Sequence, residues 1–206
     1  MEDFCNYVVL KGSLAGKPVF SHNGRTEEFF TFPIEIARLS GAVDTINIIA
    51  EKTLLEAAEI DDGDCVEVIG ELRSYNNKSG EGSRLVITVL ARHISVSSGE
   101  NVNSVTLKGV LCKKPNLRRT PMGRQICDMM LAVNRKYGRS DYLPCIAWGQ
   151  TAQSVAGLNV GDGVKISGRI QSRKYIKNDN GVSVERTAFE VSAVSAEEQP
   201  RERQPQ

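Results

Sequence analysis

The feature that most limits what this chain can fold into is an internal repeat. Asn6-Tyr-Val-Val-Leu-Lys-Gly-Ser-Leu-Ala-Gly-Lys-Pro18 recurs as Asn103-Ser-Val-Thr-Leu-Lys-Gly-Val-Leu-Cys-Lys-Lys-Pro115, at an offset of 97 residues. The offset persists at Phe32, Ile34, Ile36 and Arg38 against Met129, Leu131, Val133 and Arg135. It persists again at Ile46, Ile48 and Ala50 against Leu143, Cys145 and Ala147, and slips by one at Gly63-Asp64 against Gly161-Asp162. A unit this long is a duplicated domain, since solenoid repeats are usually shorter. The 206 residues therefore hold two domains of about 100 residues each, and whatever fold the chain adopts is built twice.

Each copy reads as the same series of elements. A first strand (8–14 and 105–111) alternates Val and Leu with polar residues and ends near a proline. A polar loop follows, holding Asn23-Gly24 in one copy and Pro121-Met122-Gly123 in the other. Then come a second strand (29–37 and 126–134), a third (45–50 and 142–148) and a short helix with Thr53 or Thr151 as its expected N-cap. The Gly-Asp turn opens a fourth strand, and a hairpin leads to a fifth (84–91 and 186–193). Five strands with one short helix between the third and fourth is the order of an OB-fold barrel; a sandwich usually needs about seven strands and no such helix. The expectation is an all-β chain of two tandem OB domains, 1–97 and 102–195, with 95–101 as the link and a disordered polar tail over 196–206.

A net charge of +1 hides an asymmetry. Residues 1–99 hold nine Lys/Arg against fifteen Asp/Glu, and residues 101–194 hold fifteen against six. An acidic copy followed by a basic one predicts a polyanionic partner for the second copy and an assembly role for the first. Five well-separated cysteines without a Cys-x-x-Cys pair indicate neither a disulfide framework nor a zinc site, and are expected to be buried reduced thiols. The N-terminus has no basic start and apolar run, and no stretch nears the ~20 apolar residues of a membrane span. A cytoplasmic, nucleoid-associated protein is expected.

The third strand of the second copy carries the clearest functional signal. Leu143, Cys145 and Ala147 form one face, and Tyr142, Pro144, Ile146 and Trp148 form the other. Rings set among Arg135, Lys136 and Arg139 suit a flexible polyanion whose bases stack while its phosphates are neutralised. A strand buried on both faces would have the same pattern. The duplication separates the two readings, because positions needed by the fold should match between copies. The core face does match. The other does not: Tyr142 stands against Thr45, Trp148 against Glu51 and Tyr137 against Ser40. The fourth-strand hairpin sets Tyr175 among Arg173, Lys174 and Lys177, and the first loop supplies Arg118, Arg119 and Arg124. The first copy keeps Tyr75 in its hairpin but lacks most of these rings, and whether it also contacts nucleic acid stays open.

With Asn103–Leu111, Asp141–Trp148, Val160-Gly161-Asp162 and Gly168-Arg-Ile-Gln-Ser-Arg-Lys-Tyr175 in order, the second copy resembles bacterial single-stranded DNA-binding proteins, in the form with two OB domains per chain. The resemblance covers roughly 103–194 and implies sequence-independent binding and protection of single-stranded DNA in replication, recombination and repair. It places four base-stacking positions on Tyr137, Tyr142, Trp148 and Tyr175, and implies a homodimer presenting four OB domains. The family usually ends in an acidic tail with an aromatic tip that recruits replication and repair proteins. This sequence ends Arg-Glu-Arg-Gln-Pro-Gln, so recruitment by that route is not expected.

Catalysis is not expected. The two histidines, His22 and His93, both lie in the acidic copy, and no His/Cys/carboxylate cluster has metal spacing, so no cofactor is anticipated. Two other readings stay open: a primosome-like OB adaptor acting through protein contacts, and a single-stranded RNA binder, since OB barrels also stack RNA bases.

Overall fold

The computed structural model describes residues 5–77, 85–135, 138–179 and 182–200. The first copy contains β1 (Asn6–Leu14), β2 (Val19–Asn23), β3 (Glu28–Ala37), β4 (Val43–Glu51), α1 (Lys52–Ala58), β5 (Cys65–Asn76) and β6 (Leu85–Val96). The second repeats them as β7 (Val102–Leu111), β8 (Asn116–Arg119), β9 (Gln125–Asn134), β10 (Ser140–Trp148), α2 (Gly149–Ala156), β11 (Gly163–Asp179) and β12 (Val182–Gln199). In the first copy β1 pairs with both β3 and β5, β3 pairs with β4, and β5 pairs with β6. The parallel pair β4–β6 closes the ring. The second copy closes in the same way through the parallel pair β10–β12. These are the two OB barrels.

Each five-stranded barrel carries a sixth strand at its edge. The polar loops fold back as β2 and β8, which pair antiparallel with β3 and β9. Their residues are exposed throughout, so no two-residue alternation announced them. The helices start without a side-chain cap: Glu51 and Trp148 are the N-cap residues, and Thr53 and Thr151 lie inside. Strand β12 continues through residues 196–199, which the sequence had assigned to the tail. Polar composition there reports solvent on the side chains, while the backbone pairs regardless.

The duplicated residues show what the barrel requires. Phe32, Ile34, Ile36, Ile46, Ile48 and Ala50 are buried, and so are Met129, Leu131, Val133, Leu143, Cys145 and Ala147. A Cβ on Gly70 or on Gly168 would stand 2.2 Å or 2.1 Å from the carbonyl oxygen of Leu90 or Ser192, so only glycine fits where those strands approach. In the Gly-Asp turns, Gly63 and Gly161 take positive φ, while Asp64 and Asp162 each accept a hydrogen bond from the backbone N–H three residues earlier, at 2.8 Å.

The contacts divide the chain differently from the repeat. One unit comprises Tyr7–Ser104 together with Ile170–Phe189, and the other comprises Met1–Asn6, Val105–Arg169 and Glu190–Gln206. The hairpin segment of the second copy thus groups with the first copy. Nothing in local sequence reports such long-range packing.

Candidate nucleic-acid interface

Strand β10 alternates as its sequence suggests, with Leu143, Cys145 and Ala147 turned into the barrel. On its other face the two ends are open, Tyr142 at 52% and Trp148 at 37% exposure, while Pro144 is half-buried and Ile146 is only 5% exposed. Six residues of extended chain set the two rings about 20 Å apart. The Trp148 Nε1–H donates to Ser192 Oγ at 3.2 Å, which fixes one edge of the indole. Neither ring is a core residue. Each offers a partly wet aromatic surface at one end of a rigid strand.

The register places neighbours around Trp148. Arg118 of β8 pairs with Ile126 of β9, and Ile126 pairs with Trp148, so the three form one row on a single face. The Arg118 guanidinium is held by Asp128, with Nη2–Oδ1 at 3.0 Å. Arg119 and Arg124 are exposed at the β8–β9 hairpin, whose turn is closed by Thr120 N–H to Arg124 O at 2.8 Å and by Gly123 at positive φ. Arg139 is exposed just before β10.

Arg135 has a different role from its basic neighbours. Its Nε donates to Oδ2 of the buried Asp141 at 2.7 Å, and its Nη2 bonds Oδ1. Arg38 and Asp44 make the same pair in the first barrel, with Nε–Oδ2 at 2.6 Å. An ion pair kept in both copies serves the fold, so Arg135 is occupied within the barrel. The loop after it is closed by Arg135 N–H to Arg139 O, as Arg38 N–H bonds Ala42 O. Lys136 and Tyr137 lie outside the described residues, as does the Lys177 side chain.

On β11, Arg173 and Lys174 are exposed and Tyr175 is half-buried. The Arg173 Cζ lies 5.9 Å from the Tyr175 ring centroid, a cation–π contact, and Lys174 Nζ pairs with Glu185 at 3.0 Å. That surface ion pair is weak and solvated.

The first barrel holds rings that a reading confined to its third strand overlooks. His22 stacks on Phe29 (centroids 5.0 Å apart, planes 7°), and Phe20, 54% exposed, meets Phe30 edge-on. His22 pairs with Phe29, and Phe29 pairs with Glu51, so this row occupies the place of Arg118–Ile126–Trp148. Phe20, Phe29 and Phe30 are visible in the sequence, but they lie on a stretch that reads as a loop and on a strand that reads as core.

All five cysteines are free thiols, but only Cys127 and Cys145 are buried; Cys65 and Cys112 are half-buried and Cys5 is exposed. Burial pushes both buried thiols upward, so they stay protonated and unreactive. Among the described residues no group of three His, Cys, Asp or Glu could hold a metal ion, and no helix is long and apolar enough to cross a membrane.

Residues 102–197 match the model of the single-strand binding protein family. Single-stranded DNA-binding protein B of Bacillus subtilis is 40% identical over 89 residues, which are 40% of this chain and 78% of that protein. The chain belongs to the single-strand binding protein family. Single-stranded DNA-binding protein 2 of Listeria monocytogenes is 38% identical over 85 residues, and the match spans about half, 53%, of its length and 38% of this chain. The wild-type single-stranded DNA binding protein from Thermus aquaticus superposes with a TM-score of 0.77 at 23% identity, covering 98% of this chain and 96% of that one. The family match thus rests on the second copy, while the likeness of fold runs through both.

Proposed function

We propose that the protein binds and protects single-stranded DNA irrespective of sequence, principally through its second barrel. The observation that carries this reading is the pair of partly exposed rings, Tyr142 and Trp148, on a strand whose counterpart in the first barrel bears Thr45 and Glu51. Bases stack on these rings and on Tyr175, and Arg119, Arg124, Arg139, Arg173 and Lys174 neutralise phosphates. Arg118 contributes less, because Asp128 already holds it. Arg135 stays with Asp141. The names borne by the relatives support single-stranded DNA as the ligand, as used in replication, recombination and repair. The acidic copy serves assembly in a homodimer presenting four OB domains. Titration of the whole chain with oligo-dT and oligo-U at two salt concentrations tests the reading. Tight oligo-dT binding that falls steeply with salt is expected, roughly 0.7 in log–log slope per neutralised phosphate. Salt-insensitive binding, or preference for oligo-U, would overturn it.

A further inference from the structure

The buried carboxylate of Asp44, in the acidic copy, is tied to the basic copy's hairpin. Asp44 is 0% exposed. Its Oδ2 accepts from Arg38 Nε at 2.6 Å. Its Oδ1 accepts from Arg38 Nη2 and also from both the backbone N–H (2.8 Å) and the hydroxyl (3.0 Å) of Ser172. The same Arg38 Nη2 reaches Ser172 O at 3.4 Å. A buried carboxylate is tolerated only when such donors surround it. Two of the four donors here come from a residue 128 positions away in sequence. Ser172 directly precedes Arg173, Lys174 and Tyr175, and the whole segment Ile170–Phe189 packs in the same unit as residues 7–104.

We propose that Asp44 is a positioning residue for single-stranded DNA binding: through Ser172 it sets the place and direction of Arg173, Lys174 and Tyr175, without itself meeting the nucleic acid. The proposal rests on the DNA-binding reading above. Both hydrogen bonds fall on the last residue before the cationic group, so releasing them frees the strand where its direction matters. Phosphate contacts depend on such placement, since a cation on an unheld strand gives up ordering entropy to make the same contact. The acidic barrel thereby contributes to affinity although its own charge opposes a polyanion.

The test uses the full chain with Asp44→Ala, with the milder Ser172→Ala, with the double variant Arg173→Ala/Lys174→Ala, and with combinations. Asp44→Ala should weaken oligo-dT binding by about tenfold, and Ser172→Ala by roughly threefold, as expected for losing hydrogen bonds to a charged group. Both should lower the salt slope of the folded protein, by up to roughly 0.7 for each phosphate no longer met. Amide exchange at 173–175 should quicken in DNA-free protein. Added to the Arg173/Lys174 double variant, Asp44→Ala should cost little more, because both act through one group. An unchanged salt slope, or losses that add in full, would overturn the positioning role. If Asp44→Ala proves unfolded, Ser172→Ala decides alone, because it leaves the Arg38–Asp44 pair intact. Failure of the unaltered chain to bind oligo-dT would instead overturn the DNA-binding reading, and this role with it.

Discussion

Two rows of side chains occupy the same place on the two barrels. In the second copy the row is Arg118–Ile126–Trp148; in the first it is His22–Phe29–Glu51. Both sit on a β-meander and both include an aromatic ring; the β3–β4 and β9–β10 registers correspond, and a shift between Phe20 and His22 brings His22 opposite Phe29. They differ in where the ring lies and in the charge at either end. The second row places an indole on the third barrel strand and a guanidinium two strands away, with Ile126 between them. The first has its rings nearer the sheet edge, on β2 and β3, and ends in a carboxylate on β4. Beneath these rows, what the barrel needs is the same in both: the Arg–Asp pair, the Gly-Asp turn, and the glycine that admits a carbonyl. Residues shared by both copies therefore report on folding, and the proposed direct contacts with ligand fall among the unmatched ones. A cation such as Arg135 belongs to the first class despite its charge.

The sharpest way to break the comparison is to give the second row the end of the first. Trp148→Glu removes a stacking ring, worth about 1–3 kcal/mol, and sets a carboxylate against phosphates. Oligo-dT affinity should drop by roughly a hundredfold or more, on the upper part of that stacking range. The melting temperature should change little, since Glu51 stands at the matching place in a folded barrel. A collapse in melting temperature by calorimetry, with affinity kept in the folded fraction, would mean that the indole is packing worth about 3–5 kcal/mol, and the contrast between rows would lose its meaning.

Tyr142→Thr, the residue at matching position 45, should cost about tenfold in affinity, near the lower part of the stacking range. Fluorescence titration measures it, and the reciprocal Thr45→Tyr should return much less, because the acidic surroundings remain. Equal and opposite effects would show that surrounding charge is unimportant.

Single charges should matter less. Arg119→Ala or Arg124→Ala should weaken binding severalfold, similarly for all homopolymers, and lower the salt slope by roughly 0.7. Arg118→Ala should do less, because its guanidinium already pairs with Asp128. A larger effect at Arg118 than at Arg119 would reassign the pair.

The smallest effect expected is in acid. Burial alone would raise the Asp44 carboxyl, but the hydrogen bonds from Arg38 and Ser172, with the Arg38 charge, outweigh it and hold the carboxyl below its usual value. A depressed native value means that its stabilisation is complete above the ordinary Asp range and is lost as the pH falls through the native value. Asp44→Asn should therefore flatten the acid limb of a stability–pH curve, while leaving its slope near neutrality unchanged. An unaltered acid limb would show that other carboxylates govern it.

How much of this was legible in sequence follows from the range of each signal. The barrels could be read because the core faces of β3, β4, β9 and β10 alternate and because every element occurs twice. Strands β2 and β8 could not, since strands exposed along their whole length have no periodic burial. The partner of Arg135 is six residues away across a turn, so it becomes visible only when β9 and β10 are brought into register. The rings of the first barrel lie on β2 and β3, where Phe29 and Phe30 adjoin the core residue Phe32 and read as part of the same core strand. Ser172 against Asp44 is a tertiary contact with no local trace.

The grouping of Ile170–Phe189 with the first copy bears on how such a gene can change. Here residues 7–104 shelter a segment encoded by the other copy, so loss of the first domain would strip Ser172 of its acceptor. The second copy's hairpin keeps that acceptor only while the first copy is inherited with it.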